Sequence, residues 1–521
     1  MLTILSVLAY IIHVCEVSSY EMLSPAEVIQ IANNKCLLLN PINRGKEIVE
    51  MLIELESNVF REQDQLFIGT INVDGFLYPD KSQPNLPNTE LFIFQKIIKD
   101  RSCLMKVPIP KPTIVPFTGM VNKENIIDFV NQYCFTYKSK NGALSIEGLH
   151  REEILKSLFH VSNISNKNIR NIFMHEDSST CTSDSFENCL QEPQNIYHKS
   201  NIPQCERVNA ENTKDFFNKY LKMSKPVIIE GAMKKWKSNK WSMKYFQEKY
   251  GDNDVHIKMT STGEYEGVEP VTLWDNHEKF LKKIPREVKA KLPFPDLVVV
   301  RPATLNMKFS KFLDLIQSIS NSNYKNVSAY LEYSSIREYF PELESDIEEM
   351  EFIKGILHLK HLNIWLSDGN TLGKTHFDPF DNFLCQISGK KEVILFEPHD
   401  NSRLYEAHIP EAILSFNKTE MTFSRRHLSD STSLVMSPID ILKPNFQKFP
   451  KFAETYPLNC TINEGDVLFM PAFWWHEVQS YPSPTEGRNL AVNFWYEPFL
   501  TKEFPCPTCK LDVNPTYRNL L

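Results

Sequence analysis

Thr375-His376-Phe377-Asp378-Pro379-Phe380-Asp381-Asn382 decides how this chain reads, because it sets a histidine and a carboxylate two positions apart in a strand-like, aromatic-rich run. In an extended strand residues i and i+2 point to the same side, so His376 and Asp378 can reach one metal ion. The third ligand should be another imidazole. His476, in Met470-Pro471-Ala472-Phe473-Trp474-Trp475-His476-Glu477-Val478, follows an acidic turn and an apolar strand and is the best candidate. Two histidines and one carboxylate leave coordination positions free, as an open Fe(II) site requires and closed structural zinc does not.

Outward from this stretch, short apolar segments recur at 361–366, 383–387, 392–396, 466–470, 477–480 and 490–495, separated by Gly, Pro, Asn and Asp turns. That rhythm predicts a mainly β double-stranded β-helix, a jelly roll with flanking helices, which brings strands distant in sequence side by side. Within it Lys391 shares a strand face with Val393 and Leu395. If those two point inward, the ammonium is buried and requires an anionic partner.

The helical run from Asn212 to Leu221, the strand Pro226-Val227-Ile228-Ile229-Glu230-Gly231, Trp236, and Met307 to Leu313 precede these segments. Together with His376-x-Asp378, Lys391, Gly465-Asp466-Val467-Leu468-Phe469-Met470-Pro471 and Trp475-His476, they resemble the JmjC, or cupin-like, 2-oxoglutarate oxygenases over Val208 to about Phe499. The resemblance implies a domain over 208–500 with Fe(II) on His376, Asp378 and His476, 2-oxoglutarate as cosubstrate, and Lys391 holding its distal carboxylate. It further implies that Tyr330, Asn382 and Asn493 line the cosubstrate pocket. Many relatives carry Thr or Ser where this chain has Gly373, and Thr371 or Thr375 would replace that hydroxyl. His361, His399, His408 and His427 lack the motif context and should lie at the surface or behind the ligands.

The nearest local likeness, His376 to Asn382 and Val492-Asn493-Phe494-Trp495-Tyr496, is to the asparaginyl hydroxylase of the hypoxia-inducible factor and to the wybutosine tRNA hydroxylase. Hydroxylation of a protein or peptide side chain is the implied activity. A metal-free or catalytically weak binding and folding factor, and a JmjC protein demethylase, are the alternatives.

The 521 residues exceed one core and suggest two or three domains. A formal charge of -8 argues against a nucleic-acid partner. Leu2 to Val14 is an apolar run too short to span a bilayer, followed by Ser18-Ser19, and reads as a signal peptide over 1–19. Asn163, Asn326, Asn417 and Asn459 open glycan acceptor triplets. Of the eleven cysteines, the ten beyond Cys15 permit complete pairing in an oxidising compartment, and Cys506-Pro507-Thr508-Cys509 suits a tail disulfide within 501–521. The endoplasmic reticulum lumen or secretion is the expected location.

Residues 20–138 read as a small α/β domain, with strands at 35–39, 65–73 and 112–119 and helices at 45–58 and 123–133. This order resembles a thioredoxin fold, with Pro112-Thr113-Ile114 at the position of the family's cis-proline. Asn40-Pro41-Ile42-Asn43-Arg44-Gly45 stands where thioredoxins carry Cys-x-x-Cys, so such a domain would bind or space without exchanging disulfides. Residues 139–207 are turn-prone and read as a linker that Cys181, Cys189 and Cys205 could staple.

Overall fold

The computed structural model describes residues 22–159, apart from 33–34, 42–47, 61–65, 74–76, 78–88 and 96–113, and residues 202–521, apart from 290–291, 322–325, 434, 447, 505 and 507–508. The expected signal peptide, most of the linker, Pro112, Asn163, Cys103, Cys181 and Cys189 lie outside the described residues. Contacts divide the chain into two units, one ending near Lys156 and the other containing the described residues from Ile202 on.

In the first unit β1 (Met22–Leu23), β2 (Cys36–Pro41), β3 (Leu66–Ile71), β4 (Phe92–Phe94) and β5 (Ile114–Pro116) form one sheet ordered β1-β3-β2-β4-β5. The first three strands of that order are parallel, while β4 and β5 are antiparallel to their neighbours. All of β2 is buried because both sheet faces are covered. Leu38 shares a core with Leu52 and Leu55 of the helix Ile48–Asn58 and Val130 of the helix Lys123–Cys134; Leu37 and Leu39 share another with Val28 and Ala32. A disulfide joins Cys36 to Cys134. Part of the expected linker is ordered: Ile146–Phe159 is a helix, with Ile154 and Leu155 buried.

The second unit contains β6 (Arg207–Asn209), β7 (Val227–Glu230), β8 (Asp254–Thr260), β9 (Glu264–Tyr265), β10 (Val268–Pro270), β11 (Leu297–Arg301), β12 (Ala303–Lys308) and β13 (Ser328–Ser335). There follow β14 (Leu359–Ser367), β15 (Leu372–Phe377), β16 (Asp381–Ser388), β17 (Lys390–Phe396), β18 (Ile409–Asn417) and β19 (Thr422–Ser433). The last of the set are β20 (Leu458–Ile462), β21 (Asp466–Met470), β22 (Trp475–Tyr481) and β23 (Asn489–Tyr496). Two sheets, β12-β8-β13-β14-β23-β16-β21-β7-β6 and β20-β17-β22-β15-β9, make the jelly roll, and β10-β11-β18-β19 forms a further sheet.

Strand alternation divides the large sheet into a core face and a pocket face. Phe383 and Cys385 of β16 and Val492 and Phe494 of β23 join the main apolar core, as do Phe309, Phe312 and Ile316 of the helix Phe309–Ser320. The intervening Asn382, Leu384, Asn493 and Trp495 line a cavity instead. Cys385 is a buried free thiol, so the pairing that the cysteine count permits does not extend to it; Cys205–Cys460 and Cys506–Cys509 are bonded. His399, expected near the surface or behind the ligands, is buried in a short turn, Pro398–Asp400, whereas His361, His408 and His427 are exposed.

Candidate metal centre and cosubstrate pocket

His376 and His476, a hundred positions apart in the chain, are direct cross-strand partners between β15 and β22. Their ring centroids are 4.2 Å apart. His476 Nε2 lies 3.5 Å from Asp378 Oδ2, and one potential ligand atom from each of the three residues falls within 4.8 Å of the others. The imidazoles are oriented by their own backbone: His376 Nδ1 is 2.6 Å from the Lys374 carbonyl and His476 Nδ1 2.9 Å from the Trp474 carbonyl. A carbonyl only accepts, so each Nδ1 carries the proton and each Nε2 keeps its lone pair for a metal. Burial and the neighbouring His476 lower the pKa of His376, which favours that neutral, ligating form. Burial pushes the Asp378 carboxyl up, but the adjacent His476 and His376 outweigh it and hold it below its ordinary value. Two neutral imidazoles and an anionic oxygen on one side of an open cavity fit an Fe(II) ion with free positions.

A β-bulge sets the approach of β15 to this cluster. Between the pairs Gly373↔Val478 and His376↔His476, two residues of β15 face one of β22. The opposed residue is Glu477, whose Oε2 accepts a hydrogen bond from Thr375 Oγ1 at 2.8 Å and lies 3.6 Å from Lys374 Nζ. The bulge allows Gly373 and His376 both to line the cavity while Thr375 is spent on Glu477. Thr375 is therefore not the replacement hydroxyl; Thr371 lines the cavity. A Cβ built on Gly373 would meet only Val478 atoms, at 3.9 Å and beyond, so the missing side chain leaves space in the pocket wall.

The cavity holds about 80 Å³ of solvent-accessible space and opens to solvent. Lys391 is 2% exposed and opens into it from β17. Its Nζ is 2.7 Å from the Oγ of Ser480, its cross-strand partner on β22. Burial alone pulls its pKa down to about 7. A buried ammonium with a neutral hydroxyl beside it is a fitting receptor for a carboxylate. Lys390 turns the other way, over the Tyr481 ring at 4.5 Å and 3.5 Å from Glu392 Oε1.

Tyr330, Asn382 and Asn493 also line the cavity. Trp365 Nε1 donates to Asn493 Oδ1 at 2.8 Å, and Asn493 Nδ2 donates to Asn382 Oδ1 at 3.2 Å, so a hydrogen-bonded row fixes one wall. Asp381 works behind it, accepting from the backbone N–H groups of Ala472 and Phe499 at 2.9 and 2.8 Å. Burial raises its pKa to about 6 against those bonds. The sequence reading did not single out Ser480, Glu266, Glu332 or Tyr333, which line the cavity. Ser480 was reachable, since it stands four positions beyond His476 on the same strand face.

The family model described as Cupin-like domain matches residues 213–502. JmjC domain-containing protein E of Dictyostelium discoideum is 24% identical over 317 residues, covering 57% of this chain and 84% of that protein. The human bifunctional peptidase and (3S)-lysyl hydroxylase JMJD7 is 25% identical over 288 residues, 54% of this chain and 80% of its own. The tRNA wybutosine-synthesizing protein 5 of Gallus gallus is 27% identical over 332 residues, with 61% and 81% covered.

Proposed function

The chain belongs to the cupin-like JmjC family of Fe(II)- and 2-oxoglutarate-dependent oxygenases, and on that premise we propose that it hydroxylates a polypeptide side chain in the secretory pathway. The observation that carries the reading is the conjunction of two facing imidazoles and a carboxylate with a buried ammonium in one cavity. His376, Asp378 and His476 would hold the metal through lone pairs that the Lys374 and Trp474 carbonyls leave free. Lys391 and Ser480 would bind the distal carboxylate of the cosubstrate, and Leu384 and Val478 would keep water from its carbon chain. Tyr330 and the Asn382–Asn493 pair would orient it. When bound, Fe(II) and 2-oxoglutarate supply an oxidant by O2-driven decarboxylation of the 2-oxo acid.

For the compartment, the support is the apolar run at Leu2 to Val14, the exposed acceptor residues Asn326 and Asn417, and three disulfides. The first unit reads as a thioredoxin-like binding or spacing module, on its β1-β3-β2-β4-β5 order and strand directions. Polypeptide is favoured over nucleic acid by the net charge of -8. The test is to incubate anaerobically purified protein with Fe(II), 2-oxoglutarate and a secretory-pathway extract, then admit air and follow succinate together with peptide mass. Cosubstrate-dependent addition of one oxygen to a peptide is expected; loss of a methyl group instead would mark a demethylase, and no change would refute both.

A further inference from the structure

The three disulfides among the described residues differ in kind. A disulfide stabilises a fold chiefly by closing a loop of the unfolded chain, and its contribution grows with the length of that loop. Cys205–Cys460 and Cys36–Cys134 close separations of 255 and 98 residues, Cys506–Cys509 one of 3. The chain around the last pair is already closed, because Leu500–Thr501 pairs antiparallel with Asp512–Val513 at the base of its loop. Cys36, Cys205 and Cys460 are buried, whereas Cys506 and Cys509 are both partly exposed. Little stabilisation and access for an attacking thiol mark a bond that exchanges, and Cys-x-x-Cys is the spacing of exchanging pairs.

The same loop is fastened to the metal centre from behind. The buried Glu406 accepts from the backbone N–H of Cys506 through Oε1 at 2.9 Å and from Lys502 Nζ through Oε2 at 2.8 Å. Lys502 Nζ lies over the rings of Phe377 and Phe473, 5.3 and 5.8 Å from their centroids. Phe504 meets both rings edge-on, each at a centroid distance of 5.9 Å. Phe377, fully buried, stands between the ligands His376 and Asp378, and by strand alternation its ring lies on the side away from them. Phe473 precedes His476 by three positions and donates its N–H to the Asp378 carbonyl at 2.9 Å. The loop therefore holds, from outside, the turns that present Asp378 and His476.

We propose that Cys506–Cys509 is a thiol–disulfide exchange site for a thiol reductant, and that opening it loosens Lys502 and Phe504 from Phe377 and Phe473 and so weakens metal binding. One thiolate of the reductant attacks a sulfur of the pair, the 506–509 bond breaks and a mixed disulfide forms. A second thiolate resolves it, so the reductant leaves oxidised by two electrons while Cys506 and Cys509 take up two electrons and two protons. The coupling rests on the reading of His376, Asp378 and His476 as the Fe(II) site. Linkage requires the converse as well: Fe(II) must make this bond harder to reduce by the same factor.

The test equilibrates full-length protein anaerobically in glutathione buffers of graded ratio, with and without Fe(II), then alkylates it and reads each cysteine by peptide mass. Cys506–Cys509 should open at a ratio that leaves Cys36–Cys134 and Cys205–Cys460 bonded. Saturating Fe(II) should move its midpoint about 30 mV more negative, the shift that corresponds to a tenfold difference in Fe(II) affinity. The double substitution Cys506→Ser and Cys509→Ser opens the loop without offering thiols to the metal. That variant should bind Fe(II) about tenfold more weakly, measured against a chromogenic chelator, at an unchanged melting temperature. The proposal falls if the three bonds open together, if Cys506–Cys509 opens last, or if the double variant binds Fe(II) as tightly as the parent. Should no form of the protein bind Fe(II), the metal reading fails and takes the coupling with it, while selective opening of Cys506–Cys509 still establishes the exchange site.

Discussion

Lys391 and Ser480 face one another across β17 and β22 with Nζ 2.7 Å from Oγ, so a buried ammonium rests on a neutral hydroxyl. Its pKa lies near 7 against an ordinary 10.5. Between those values the unfolded chain binds a proton that the folded chain does not, so stability rises with pH through that window. Below about pH 7 the full cost of burying the charge is present. Lys391→Met should therefore stabilise the ligand-free protein by roughly 1 to 4 kcal/mol at neutral pH and flatten that slope. Urea unfolding at neutral and alkaline pH measures both; a less stable variant would contradict the cavity environment drawn above.

The same lysine should govern cosubstrate affinity. Lys391→Ala removes a buried charge-assisted contact and should weaken 2-oxoglutarate binding by about 2 to 5 kcal/mol, while Fe(II) stays bound. Lys390→Ala is the control, because that side chain lies half-buried over Tyr481 on the opposite strand face. Equal losses in both variants, read by titration of 2-oxoglutarate into metal-loaded protein, would show that the effect is not local to the cavity.

His376→Ala and Asp378→Ala should each lower retained iron severely, since two ligands remain where three converge within 4.8 Å. Neither side chain belongs to the apolar core, so circular dichroism and melting should change little. Metal content by elemental analysis decides; a full iron complement in either variant removes the centre from these residues.

Much of this centre was legible because it obeys simple periodicity. His376 and Asp378 stand two apart, and β16, β17, β21, β22 and β23 appear at the apolar segments the sequence marks. Lys391 faces inward and Lys390 does not, as strand alternation requires. Alternation fails at the two bulges. Counting by twos from His376 places Thr375 away from the cavity, as observed, but also puts Lys374 there in place of its neighbour Gly373. Counting from Tyr330 passes over Tyr333, the residue inserted in β13. The Thr375 expectation rests on the family resemblance and not on the strand period. Bulges are fixed by tertiary pairing, which a single strand's sequence does not carry.

The bulge at Thr375 has a measurable consequence. Thr375→Val removes a buried hydrogen bond to Glu477 and should cost about 1 to 3 kcal/mol of stability, with 2-oxoglutarate affinity held within about twofold. Thr371→Val, in the cavity wall, should show the opposite balance. Gly373→Ser has room for its Cβ and should gain roughly twofold to tenfold in cosubstrate affinity if its hydroxyl reaches the carboxylate. A loss of affinity in Thr375→Val without loss of stability would return that residue to the pocket.

Sugar attachment tests the compartment and the fold together. Asn326 and Asn417 are exposed, whereas Asn459 is 6% exposed within β20. The backbone of Asn459 is clamped on both sides, its N–H donating to Pro203 O at 2.8 Å and its carbonyl accepting from Cys205 N at 2.9 Å. The Cys205–Cys460 disulfide closes the same junction. A glycan on Asn459 would have to displace that segment, so a glycosidase-sensitive shift should survive Asn459→Gln and diminish with Asn326→Gln or Asn417→Gln. Cys205→Ser should destabilise the protein by roughly 2 to 5 kcal/mol if the bond forms in the cell. An unglycosylated chain with free thiols at Cys205 and Cys460 would overturn the secretory assignment, because neither modification depends on the metal centre. Sugar found on Asn459 would instead show that β20 docks differently from the pairing described here.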